Sequence, residues 1–166
     1  LFSAPAAQTD AGRLPERLVP DLPDRINDAA HVAITQGDRS VELSRSGATW
    51  RVDPKDGYPA RLDTVKQTIL GLAELEPTER KTDDPALFGR IGLEAPGPDG
   101  PATRVTLRDA AGGVIADVIL GNRAGSPGGD LRFARLASED QAWIVKGRVA
   151  PSVDPMAWID REILRI

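Results

Sequence analysis

The feature that most constrains this chain is the strict alternation of apolar and polar side chains in short runs separated by turn residues. Val32 and Ile34, then Val41 and Leu43, then Trp50 and Val52 alternate with polar neighbours, with Gly37-Asp38 and Ser46-Gly47 between the runs. A period of two puts one set of side chains on a single face of a pleated strand, and such Gly-containing pairs favour tight reversals, so three short antiparallel strands are expected. The pattern returns later: residues 103–109, 114–120, 130–137 and 141–146 read as four more strands, the first two joined by Ala110-Ala111-Gly112-Gly113.

Between these runs the period changes. Leu62, Val65, Ile69, Leu72 and Ala73 recur at three- and four-residue spacing, with Lys66, Gln67 and Glu74 on the opposite side and Asp63 placed to cap the helix they imply. Asp84, Pro85 and Gly92 bracket a second, short helix that Leu87, Phe88 and Ile91 would pin. Pro23 and Asp24 start a turn through Ile26 and Ala30, and Asp154-Pro155 open a last short helix around Trp158 and Ile159. Strands come in runs rather than alternating singly with helices. The expected class is therefore α+β: a mostly antiparallel sheet of about seven short strands in two meanders, with one main amphipathic helix and short helices. Residues 1–20 carry no sustained period and read as a flexible tether that becomes ordered near Leu18 and Leu22, and residues 21–166 read as a single domain.

Composition sharpens this reading. With 166 residues, 40% of them hydrophobic, the chain buries a core without covalent staples, and with only 4% aromatic residues that core rests on aliphatic side chains, with Trp50, Trp143 and Trp158 as large fillers. The absence of cysteine excludes thiol catalysis, disulfides, zinc fingers and iron–sulfur clusters. A formal charge of −4, with 21 basic residues scattered among 25 acidic ones, argues against nucleic acid and gives no net attraction to anionic lipid. No stretch approaches the roughly 20 apolar residues of a membrane-spanning helix.

Motifs for chemistry are weak. Asp53-Pro54-Lys55-Asp56-Gly57 superficially suggests a calcium loop, but no third spaced oxygen ligand and no closing Glu follow, so it reads as a turn. Ala124-Gly125-Ser126-Pro127-Gly128 misses the nucleophile elbow by its first residue and opens no helix. The single histidine, His31, starts a strand and reads as a strand-edge residue. The Gly-rich stretch 121–129 lacks the Gly-Lys-Ser/Thr ending of a phosphate loop. The pairs Asp83-Asp84 and Glu139-Asp140 read as solvated or capping acids. No catalytic, cofactor-binding or metal residue is expected from these patterns, and no cofactor.

A succession of landmarks says more than any one motif. Ile26-Asn27-Asp28-Ala29-Ala30, Trp50, Gly57-Tyr58-Pro59-Ala60, Leu70-Gly71-Leu72-Ala73-Glu74-Leu75, Phe88-Gly89-Arg90-Ile91-Gly92-Leu93-Glu94 before Pro96, and Leu120-Gly121 follow one another in this order. In them the chain, from about Leu18 onward, resembles the bacterial domain of unknown function family DUF4340. That resemblance implies a domain on the periplasmic side of the inner membrane, anchored by an N-terminal helix outside these residues and often encoded beside gliding-type ABC transport components. It assigns no catalytic residues and leaves open a second copy of the domain after Ile166. The expected function is a non-catalytic extracytoplasmic binding or accessory module of an ABC-type transport or envelope complex, with a protein partner. The contrasting expectation is an envelope hydrolase using loop carboxylates such as Asp53 and Asp56. Convergent titratable groups in a pocket would favour the enzyme, and an apolar or Arg-rimmed face the binder.

Overall fold

The computed structural model describes residues 14–47, 49–52, 58–93, 102–125, 129–149, 151–154 and 157–159. The expected alternation becomes β1 (Ala29–Gln36), β2 (Arg39–Ser46) and β3 (Thr49–Val52), followed by a two-residue β4 (Tyr58–Pro59). The first helix, α1, runs over Leu62–Ala73 and leads into β5 (Glu76–Arg80). A 3-10 turn at Pro85–Leu87 and α2 (Phe88–Ile91) come next, then β6 (Thr103–Asp109), β7 (Val114–Arg123), β8 (Leu131–Leu136) and β9 (Trp143–Lys146).

Here the expected architecture is corrected. Instead of about seven strands in two meanders with one main helix, the molecule is one nine-stranded sheet, order β4-β3-β2-β1-β6-β7-β8-β9-β5, with two α-helices among the described residues. Every strand pairing is antiparallel. The two runs of strands fuse because β1 and β6 pair in register, Val32 opposite Leu107 and Ile34 opposite Val105. That register places all four side chains on one face and joins the two apolar stripes into a single core. The two strands that sequence periodicity misses have plain physical reasons. β4 is too short to show a period, and β5, Glu-Pro-Thr-Glu-Arg, is mostly exposed and contains Pro77, as an edge strand tolerates.

On the main face, Val32, Ile34, Val41, Leu43, Trp50, Val52, Val105, Leu107, Val118, Leu120, Trp143 and Val145 are buried under Val65, Ile69, Leu72 and Ala73 of α1. Asp63 does not cap α1: the helix begins at Leu62, so the cap falls two residues earlier, on Arg61, and Asp63 lies in the first turn, where its charge suits the helix dipole. Leu62, expected on the apolar face, is 45% exposed. Gly71 on that face lets α1 approach the 148–149 backbone, since a Cβ there would stand 3.1 Å from the Arg148 carbonyl oxygen. Two 3-10 turns, Leu22–Asp24 and Ile26–Asp28, replace the single turn expected before β1. Within the 1–20 segment, Leu18 and Val19 are already buried, and the Leu18 amide donates to the Leu75 carbonyl.

A second, smaller cluster lies across the sheet. Ile119 points opposite to Val118 and Leu120 and packs with Phe88, Leu93, Ala102 and Ala142, so the central part of β7 is apolar on both faces. The helix brackets read from sequence hold here: Asp84 Oδ1 accepts from the Ala86 amide, and Gly92 closes α2 in the left-handed region at φ 74°. At the C-terminus the expected helix gives way by Ile159, which forms an antiparallel bridge with Ala60, while Trp158 is 1% exposed and donates from Nε1 to the Ser152 carbonyl.

Candidate functional site

One end of the sheet gathers arginines. β7 closes on Arg123, β8 opens on Leu131 and Arg132, and the chain leaving β9 continues through Gly147, Arg148 and Val149. With Gly129 and Asp130, these residues line a cavity of about 370 Å³. Arg123 and Arg132 are direct cross-strand partners, just beyond a register shift that follows Leu120. Like charges directly opposite on a ladder are destabilising, and irregular pairing of this kind is a common means of re-aiming side chains beside a site.

Arg132 is the most constrained of the three. Its Nη1 donates to the Val149 carbonyl and its Nη2 to the Gly121 carbonyl, each at 3.0 Å, while its buried Nε has no partner. Burial, and then the nearby Arg123, hold its pKa below the usual guanidinium range. A guanidinium stays protonated in a protein, so the consequence is a partly desolvated cation rather than a neutral group. Arg123 Nη1 reaches the Gly129 carbonyl at 3.4 Å. Arg148, whose side chain is 86% exposed, donates from Nε to Asp130 Oδ1 at 3.0 Å, and Asp130 is 33% exposed. Among the described residues, the cavity lining thus sets three arginines against one carboxylate, that of Asp130. Planar, permanently charged donors of this kind suit carboxylate, sulfate or phosphate oxygens.

The sequence-derived candidates do not assemble at this cavity. His31 lies on the opposite side of the core-facing alternation, exposed, with Nδ1 3.2 Å from Ser44 Oγ, on a groove shared with Glu42, Thr106 and Arg108. It sits within β1, paired on both sides, rather than at a sheet edge. Asp84 serves its helix cap. Ala124 pairs its amide with the Leu131 carbonyl and Gly125 has φ 73°, as a hairpin end requires, while Ser126-Pro127-Gly128 lie outside the described residues. Asp53, Asp56 and the rest of the 53–57 loop also lie outside them. Among the described residues no group of three or more His, Asp or Glu converges as a metal site, and no helix is long and apolar enough to cross a membrane.

Two further charged clusters are built into the fold. Arg104 makes a two-pronged contact with Asp117, at 2.8 and 2.6 Å, and Thr106 Oγ1 adds a third hydrogen bond to that carboxylate. Burial by itself pushes the Asp117 carboxyl up, but these hydrogen bonds and the charge of Arg104 outweigh it and leave the group below its ordinary value. Arg135 is buried, stacks over the Phe88 ring at 4.5 Å and donates from Nε to the Leu93 carbonyl, fastening the α2 segment to the sheet. Sequence inspection missed the arginine cavity because the register that sets Arg123 opposite Arg132 across one hairpin, and the pairing that brings in the segment of Arg148 after β9, are not written in local periodicity. Only their positions at strand ends beside Gly121, Gly129 and Gly147 hinted at a shared location.

Neither a curated protein nor a solved structure matches the chain. Residues 50–166, from β3 through the whole arginine cavity to the C-terminus, match the family described as domain of unknown function (DUF4340). This covers more than half of the 166 residues and agrees with the order of landmarks in the sequence, so the chain belongs to the DUF4340 family.

Proposed function

We propose that this domain is a non-catalytic, extracytoplasmic binding module, an accessory part of a membrane transport or envelope complex, which engages its partner or ligand through an anionic group held in the Arg123–Arg132–Arg148 cavity. The observation that carries this reading is the direct pairing of Arg123 with Arg132 at a cavity that both line together with Arg148. Two facing cations repel each other, and an anion between them converts that repulsion into charge-assisted hydrogen bonding. Among the described residues, three arginines outnumber the single acid, Asp130, in the cavity lining, an excess of positive charge suited to holding an anion. The periplasmic placement and the transport partner rest on the family resemblance.

The test is a thermal titration of the protein with sulfate and with chloride at matched ionic strength. Sulfate stabilises most proteins through exclusion from their surface, so the decisive comparison is with Arg123→Gln. The native protein is expected to gain several degrees more than the variant. Equal gains would overturn the anion-binding reading. Crosslinking of the full-length protein in its native membrane then identifies the partner, and recovery from the cytoplasmic fraction alone would overturn the extracytoplasmic placement.

A further inference from the structure

Resting on the reading of this cavity as an anion receptor, the geometry points to a narrower ligand: we propose that the bound group is a phosphate monoester, a tetrahedral dianion, and that Asp130 is an internal competitor that sets its affinity.

Charge comes first. Arg123, Arg132 and Arg148 contribute three positive charges and Asp130 one negative charge, leaving a local excess of two in a chain whose formal charge is −4. A carboxylate or a phosphate diester neutralises half of that excess, whereas a monoester, doubly charged above its second pKa of about 6, neutralises all of it.

Shape agrees with charge. The three guanidiniums arrive from separate backbone positions, the end of β7, the start of β8 and the segment after β9. A planar carboxylate presents two oxygens, which one guanidinium satisfies in a two-pronged contact, but the three free oxygens of a phosphate monoester diverge and suit three donors. One of the wall residues, Gly129, has no side chain to obstruct an oxyanion. The cavity of about 370 Å³ also exceeds a bare phosphate, and Leu131 and Val149 in its lining offer apolar contact to the organic part of an ester.

Asp130 completes the device. Its carboxylate engages Arg148 at 3.0 Å, and its carbonyl accepts from the Gly147 amide at 3.0 Å, which fixes the residue at the rim. In the free protein Asp130 restrains an otherwise exposed arginine arm, and an incoming phosphate takes Arg148 from it. Asp130 is a positioning residue: removing its charge leaves the receptor in place and raises the positive excess from two to three.

The experiment measures binding calorimetrically to the 166-residue chain at about pH 8, where the monoester is a dianion. The probes are phenyl phosphate, methyl phenyl phosphate as a tetrahedral monoanion, and benzoate as a planar one. Phenyl phosphate is expected to bind about tenfold more tightly than either monoanion, to tighten severalfold in Asp130→Asn, and to lose at least about tenfold in Arg123→Gln, the loss expected when one charge-assisted contact is removed. Circular dichroism of both variants checks that they fold. Equal affinity for the three probes, or no gain in Asp130→Asn, overturns this proposal while leaving anion binding intact; no binding of any probe overturns the anion-receptor reading itself. Vesicles containing phosphatidic acid, compared with phosphatidylglycerol, separate the two sources of such a group. Sedimentation with phosphatidic acid alone, beside phenyl phosphate binding, assigns the ester to a lipid headgroup, and phenyl phosphate binding without sedimentation assigns it to a soluble ester. Equal sedimentation with both lipids indicates charge attraction without monoester recognition and counts against the proposal.

Discussion

At the scale of single residues, the informative positions are those where two backbones or two charges are forced together. Gly121, one of the landmark residues, packs so closely on the α2 segment that a Cβ there would stand 2.5 Å from the Ile91 carbonyl oxygen and 2.8 Å from Leu93 Cδ2. Because the first obstacle is backbone, Gly121→Ala is expected to lower stability by about 1–3 kcal/mol, the usual range for overpacking, as measured by urea denaturation. A variant of unchanged midpoint would show that the segment is free to shift. Asp117 gives a prediction with a sign. Its pKa is held below its ordinary value, so its contribution is fully present above the unfolded value of about 3.9 and is lost as pH falls through the lower folded value. Asp117→Asn should therefore destabilise the protein by about 2 kcal/mol at neutral pH, the scale of a hydrogen bond to a charged group. The gap to the native protein should close as pH is lowered from about 5 toward 2, and a gap independent of pH would contradict the assignment. The glycine was visible in the sequence as part of Leu120-Gly121, but its neighbour was not, since Ile91 lies far away in the chain.

At the scale of elements, α1 shows how far periodicity reaches. Val65, Ile69, Leu72 and Ala73 recur at helical spacing, and the structure buries all four. Ile69→Ala should cost about 2–5 kcal/mol in chemical denaturation, as expected for truncating a buried aliphatic side chain. Leu62 shares the same spacing but stands at the exposed start of the helix, so Leu62→Ala should stay within about 0.5 kcal/mol of the native protein. A large effect at Leu62 together with a small one at Ile69 would mean that the helix is rotated about its axis. The caps divide in the same way. Asp84 and Gly92 act as their chemistry demands because each requirement is local, whereas Asp63 loses the cap because the helix begins two residues earlier, with Arg61 at the cap. β5 lies beyond periodicity altogether, because its pairing with β9 joins residues far apart in the chain and its outward residues face water.

At the scale of the whole molecule, the C-terminal segment acts as a clasp. Trp158 is buried in the main core, its carbonyl accepts from the Arg61 amide at the start of α1, and Ile159 bridges to Ala60. Truncation after Ser152 removes both large side chains and should lower the melting temperature by at least several degrees, since losing one buried tryptophan alone costs about 3–5 kcal/mol. An unchanged melting temperature would mark the segment as dispensable. The sequence by itself determined the strands of both runs, the buried stripe of α1, the Asp84 cap of the 85–87 turn, the Gly92 end of α2 and the family, because each depends on alternation, spacing or turn chemistry within a few neighbouring residues. Tertiary structure alone decided that β1 pairs with β6 to merge two runs into one nine-stranded sheet, that β5 crosses to the far edge, and that Arg123, Arg132 and Arg148 meet around one cavity. The physical reason is that a strand's period specifies which face is buried but not which strand lies beside it. That choice is made by burial and register across long stretches of chain, and with it the location of every charge at a strand end.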